Sequence, residues 1–125
     1  MFNYYIYRTY FNAKHSFNGD ITKIHGHSFT VVTYIGMKDS KEDIPFFKLE
    51  AIISSFIDQY RGRYLNELPE FEGCGNTLET IGDYFYEKLR KQLMKSGMEL
   101  YQLDISENPL CVYQVSDRML LPTMN

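Results

Sequence analysis

A chain of 125 residues with a formal net charge of −3 has the size of one domain and no basic footprint, which argues against nucleic acid as a partner. No apolar run approaches the roughly 18 residues that a membrane helix needs, the N-terminus lacks the basic and apolar parts of a signal peptide, and Cys74 and Cys111 are too few for a disulfide framework. The composition therefore points to a reducing compartment and a cytoplasmic protein without a membrane partner, and its eleven Tyr and nine Phe favour a sheet-rich fold.

Residues 4–13 alternate, with Tyr5, Tyr7, Thr9, Phe11 and Ala13 on one face and Tyr4, Ile6, Arg8, Tyr10 and Asn12 on the other, the pattern of a strand. Asn18-Gly19-Asp20 is a turn signal. The next run, from His25 to about Met37, carries Thr30, Val31, Val32, Thr33, Tyr34 and Ile35, β-branched or aromatic throughout. A tight turn would make residues 4–15 and 25–37 a hairpin with His15 across from His25-Gly26-His27.

Pro45 is suited to a first helical turn, and Phe46, Leu49, Ile52, Ile53, Phe56, Ile57 and Tyr60 then recur at helical spacing until Gly62 breaks the pattern. A loop follows, containing Pro69 and Gly73-Cys74-Gly75. Asn76 with Glu79 three residues on resembles a capping box and opens a second helix, whose buried stripe is Leu78, Ile81, Phe85, Leu89 and Leu93. Lys88, Arg90, Lys91 and Lys95 crowd its last turns, favourable for the helix dipole, and Gly97 ends it.

Leu100–Glu107 reads as a third strand with Tyr101, Leu103, Ile105 and Glu107 sharing a face, Asn108-Pro109 as a turn and Cys111–Val115 as a fourth strand. The tail from Asp117 reads as loose or bound at an interface. The order ββααββ predicts a single α+β domain over residues 1–125, a four-stranded antiparallel sheet with two helices on one face. Such a sheet has two open edges, which oligomerisation would cover.

All three histidines of the chain, His15, His25 and His27, fall within thirteen residues. On a strand, residues two apart project from the same face, so the imidazoles of His25 and His27 point one way. His15 shares the parity of Phe11 and Ala13, and pairing of the two strands would gather three neutral imidazoles at one point. Three nitrogens plus an open position is the arrangement of a catalytic zinc site.

Taken together, Phe11-Asn12-Ala13-Lys14-His15, His25-Gly26-His27-Ser28-Phe29, Phe46 with Leu49, Tyr64-Leu65-Asn66, Asn76-Thr77-Leu78-Glu79 and Ser106-Glu107 resemble, in order, the motifs of the 6-pyruvoyl- and 6-carboxy-tetrahydropterin synthase family. The resemblance covers almost the whole chain. It implies the tunnelling fold, in which sheets of a trimer, often doubled to a hexamer, join into a barrel. It also implies zinc on His15, His25 and His27, a small-molecule pterin bound between subunits, Glu107 as the carboxylate that anchors it, and Thr77 beside the pocket. The implied activity is that of a lyase on dihydroneopterin triphosphate or a near relative, in a pathway to a modified tRNA base, a biopterin or folate.

Two departures stand against that pattern. The family's catalytic Cys, four residues before the H-G-H, is Ile21 here, which has no proton to exchange. The acid–His pair expected ahead of Leu65-Asn66 is replaced by Arg61-Gly62-Arg63. Asp20 and Cys74 are the candidate stand-ins for proton transfer, and Arg61 and Arg63 would suit the charge of a triphosphate. The alternatives to a family enzyme are a binding or scaffold paralogue without turnover, and a zinc enzyme of different chemistry built on a metal-bound hydroxide.

Overall fold

The structure, a computed structural model, describes residues 3–15, 25–38, 43, 45–71, 77–118 and 120–122, with the side chains of His15, His25 and His27 outside the described set. Its elements are β1 (Tyr5–His15), β2 (His25–Met37), α1 (Phe46–Asp58), α2 (Leu78–Met94), β3 (Met98–Asn108) and β4 (Cys111–Val115), with short 3-10 turns at Leu65–Glu67 and Pro69–Phe71. The strands lie in chain order, each antiparallel to the last, which is the expected ββααββ architecture. No helix among the described residues is long and apolar enough to cross a membrane.

Alternation in β1 and β2 sends Phe11, Ala13, Phe29, Val31 and Ile35 into one core with Leu49, Ile53, Phe56 and Ile57 of α1 and Ile81, Phe85, Leu89 and Leu93 of α2. The ring of Phe85 sits at its centre, 4.9 Å from Tyr60, 5.1 Å from Phe56 and 5.8 Å from Phe11. Burial of these apolar stripes on one side of the sheet fixes where the helices lie.

Helix boundaries moved slightly from the expectation. Pro45 is the N-cap of α1 and accepts, through its carbonyl, the amides of Lys48 and Leu49. The cap of α2 falls on Thr77, whose Oγ1 accepts the Thr80 amide at 3.2 Å, one residue beyond the expected Asn76–Glu79 box. Asn76 lies outside the described residues. Gly97 ends the helix at φ +76°, a left-handed conformation that glycine adopts without a Cβ penalty.

The expectation that Tyr101, Leu103, Ile105 and Glu107 share a face fails at both ends. Tyr34 pairs with Gln102 but Ile35 pairs with Leu100, so a bulge leaves Tyr101 as the extra residue and turns it to the helix-free side, beside Val32 and Tyr34. There its ring covers Gly36, where any Cβ would overlap the ring. A second shift, between Ser106↔Val112 and Asn108↔Cys111, makes Glu107 an extra residue in the same way.

Nor is the tail loose where it is described. The Leu121 amide donates to Gln102 Oε1 at 2.5 Å, and the Leu121 carbonyl accepts from Gln102 Nε2 at 3.2 Å and Gln114 Nε2 at 3.1 Å. These amides lie against Asp104, which is 1% exposed and accepts from Tyr34 Oη at 2.6 Å, Gln102 Nε2 at 2.8 Å and Gln114 Nε2 at 3.4 Å. Burial pushes the Asp104 carboxyl above its ordinary range, and the three donors pull against that shift.

Candidate metal centre and ligand cavity

The hairpin of β1 and β2 is paired to its very end: Ala13 stands opposite His27, and His15 opposite His25. Directly opposed residues of an antiparallel pair lie on one face with Cα atoms about 4.5–5.5 Å apart. His15, His25 and His27 therefore occupy three adjoining positions on the face that continues through Phe11 and Phe29 into the core. The expected pairing of strands is thus present in the backbone. Nitrogen donors at three neighbouring positions fit the chemistry of a zinc site with an open coordination position. Among the described residues, which do not include those side chains, no group of three or more His, Cys, Asp or Glu could hold a metal.

The edge of β1 beside these positions is covered by the segment after α1. The Gly62 amide donates to the Asn12 carbonyl at 2.6 Å, the Lys14 amide donates to the Arg63 carbonyl at 2.9 Å, and Tyr64 bridges to Lys14 in parallel. Gly62 makes the approach possible at φ +70°. Arg61 is engaged in the same docking: its guanidinium donates to Asp58 Oδ1 at 2.8 Å and to the Tyr10 carbonyl at 2.7 Å. The structure thus separates the two arginines that the sequence offered together.

On the helix-free side of the sheet, a cavity of about 250 Å³ is lined by Arg8, Tyr10, Thr30, Asp104, Ser106 and Glu107, among others. The bulge at Glu107 brings that carboxylate to the cavity wall beside Ser106, at the strand end nearest His27. A second, more open hollow of about 350 Å³ lies against Asn12, Lys14, Gly26, Ser28 and Gly62, where Ser28 Oγ donates to Asn12 Oδ1 at 2.7 Å. A Cβ added at Gly26 meets no described atom within 4 Å, so the glycine borders this hollow.

Thr77, expected beside the pocket, caps α2, and its hydroxyl lies 3.0 Å from that of Thr80. Asp20 and Cys74 lie outside the described residues. Sequence reading missed the cavity wall of Arg8, Tyr10, Thr30 and Ser106. The polar parity of β1 was the available signal, for Arg8, Tyr10 and Asn12 alternate with the core positions. Nothing local marks Asp104, an acid inside an otherwise buried strand.

Comparison with known proteins adds the following. The family model described as 6-pyruvoyl tetrahydropterin synthase matches residues 5–118. A 6-pyruvoyl tetrahydropterin synthase structure from Caenorhabditis elegans superposes with a TM-score of 0.77 at 20% identity, covering 93% of this chain and 96% of that one. The Plasmodium falciparum enzyme follows at TM-score 0.66 and 16% identity, covering 94% of this chain and 98% of that one. An uncharacterised Wolinella succinogenes protein shares the fold at TM-score 0.63 and 16% identity, covering 93% and 99% respectively. No curated protein matches by sequence.

Proposed function

The chain belongs to the 6-pyruvoyl tetrahydropterin synthase family, and from that premise we propose that it is a zinc-dependent lyase acting on dihydroneopterin triphosphate or a near relative. The observation that carries the reading is the register of the first hairpin, His15↔His25 and Ala13↔His27, which puts three histidine positions side by side. His15, His25 and His27 would hold the ion, and the bound ion supplies Lewis acidity toward oxygens of the ligand's side arm.

The remaining work falls to the chain's own groups. Glu107 accepts two hydrogen bonds from adjacent N–H donors of a flat heterocycle, which a carboxylate fixed at a strand end does well. Thr77 borders the ligand through the start of α2. Asp20 and Cys74 are the remaining candidates for moving a proton, because Ile21 cannot ionise. The whole chain acts as one domain in the cytoplasm. Its sheet edges, β4 and the part of β1 that the 61–64 segment leaves uncovered, join copies into a trimer or hexamer, so that the pterin lies between subunits.

One observation favours a second reading, a pterin-binding paralogue without turnover. The segment docked on β1 carries Arg61 and Arg63, and a guanidinium neither takes up nor releases protons near neutral pH. Metal analysis of the purified protein with incubation on dihydroneopterin triphosphate separates the two. Stoichiometric zinc, lost in His27→Ala, with conversion of the pterin supports the enzyme. Bound zinc and tight pterin binding, weakened in Glu107→Gln, with unchanged substrate supports the binding protein. Absence of both zinc and pterin binding refutes the family's chemistry for this chain.

A further inference from the structure

We propose that Arg63 is the anion-recognition residue of this site, offering its guanidinium to a phosphate-bearing arm of the ligand on the face that carries the three histidine positions. The proposal rests on the pterin reading for the identity of the ligand, and on the backbone for the place of the arginine.

The placement follows from the docked segment. The Arg63 carbonyl is held by the Lys14 amide, and Tyr64 stands beside Lys14 in extended conformation, φ −88° and ψ 106°. Tyr64, paired in parallel with Lys14, takes the face of Lys14, so its extended backbone sends Arg63 to the opposite side, the side on which Leu65 enters the 3-10 turn. Leu65 is fully buried in the core that contains Phe11 and Ala13. Arg63 therefore lies on the helix side of the sheet, flanking the β1 positions Ala13 and His15. Lys14, of opposite parity, belongs to the other face.

The charge is available. Arg63 is exposed and, among the described residues, its guanidinium makes no hydrogen bond or ion pair. Asp58, the acid nearest in the preceding helix, is bonded to Arg61 instead. The two arginines therefore differ in role: Arg61 fastens the segment to α1 and β1, and Arg63 projects from the fastened segment. A planar guanidinium held by a pinned backbone is suited to phosphate oxygens, which it meets with two parallel N–H donors. It cannot serve as general acid or base, so this segment contributes binding rather than proton transfer.

The test uses the full-length, zinc-loaded protein and equilibrium binding of neopterin, neopterin triphosphate and inorganic triphosphate. The wild type is expected to bind neopterin triphosphate about tenfold or more tightly than neopterin, the scale of charge-assisted hydrogen bonds. Arg63→Gln abolishes that preference and leaves neopterin binding unchanged, Arg63→Lys keeps part of it, and Lys91→Gln, a charge-matched change on the exposed side of α2, keeps all of it. Thermal melts check that the variants are folded. Binding of inorganic triphosphate that weakens with Arg63→Gln, while neopterin fails to bind, supports the arginine assignment and refutes the pterin reading. A triphosphate preference undiminished in Arg63→Gln, or no binding of either triphosphate by the wild type, overturns the proposal.

Discussion

Replacing Tyr34 by Phe removes one hydroxyl from a ring that is fully buried, and leaves the packing of that ring with Tyr4 and Val32 in place. What is lost is the shortest bond to a nearly fully buried carboxylate, Asp104 at 2.6 Å, together with the longer approach of the same hydroxyl to the Pro122 carbonyl at 3.2 Å. Of the donors that remain, Gln102 stands at 2.8 Å and Gln114 at 3.4 Å, the second too long to compensate. A hydrogen bond to a charged group contributes about 1.5–3 kcal/mol, and one between neutral groups about 0.5–1.5 kcal/mol.

The effect must therefore depend on pH. Because burial raises the native pKa of Asp104, the native state holds its proton more tightly than the unfolded chain. The stability due to this group is full below the unfolded value of about 3.9, falls as pH rises through the raised native value, and is level above it. Removing a donor that favours the ionised form raises the native pKa further and deepens that fall. Urea denaturation followed by circular dichroism should show Tyr34→Phe less stable by about 1.5–3 kcal/mol at pH 8 and by roughly 1 kcal/mol less than that at pH 4.5. An equal loss at both pH values, or a loss below about 0.5 kcal/mol at pH 8, would refute the account of Asp104 as a buried carboxylate sustained by Tyr34.

Three further outcomes follow from the packing. Phe85→Ala empties the centre of the aromatic cluster formed with Phe11, Phe56 and Tyr60 and should cost about 3–5 kcal/mol, read from the denaturation midpoint and slope. Gly36→Ala drives a methyl into the Tyr101 ring and should cost about 1–3 kcal/mol, whereas the same change at Gly26 meets no described atom and should leave the melting temperature within a degree or two. Thr77→Ala removes the acceptor of the Thr80 amide and should destabilise by about 1 kcal/mol. If it also weakens pterin binding, the hydroxyl touches the ligand as well as capping the helix.

Local signals made the elements legible. Alternation marked β1, helical spacing marked α1 and α2, and Gly62 and Gly97 stand where positive φ is needed. The histidine hairpin was legible too, because H-x-H on a strand and a third histidine of the same parity share one face once the strands pair; which residue stands opposite His15, namely His25, was settled by the register. The motifs of the family lie on these same elements, so fold and family could both be reached from the residues in order.

Non-local pairing decided the rest. Each bulge in β3 arises from how many residues face the partner strand, a count that β3 alone does not contain. The two bulges turned Tyr101 and Glu107 from the face their parity assigned. Arg61 and Arg63 look equivalent in the chain, and only the docking of their segment on β1 engages one with Asp58 and Tyr10 and leaves the other on the histidine side. Asp104 likewise reads as one polar residue in a strand, until the tail, Tyr34 and two glutamines from separate segments close over it. Periodicity is a property of neighbours in sequence and survives in the string of residues. Burial, register and charge environment are set by partners distant in sequence, and exist only once the chain has folded.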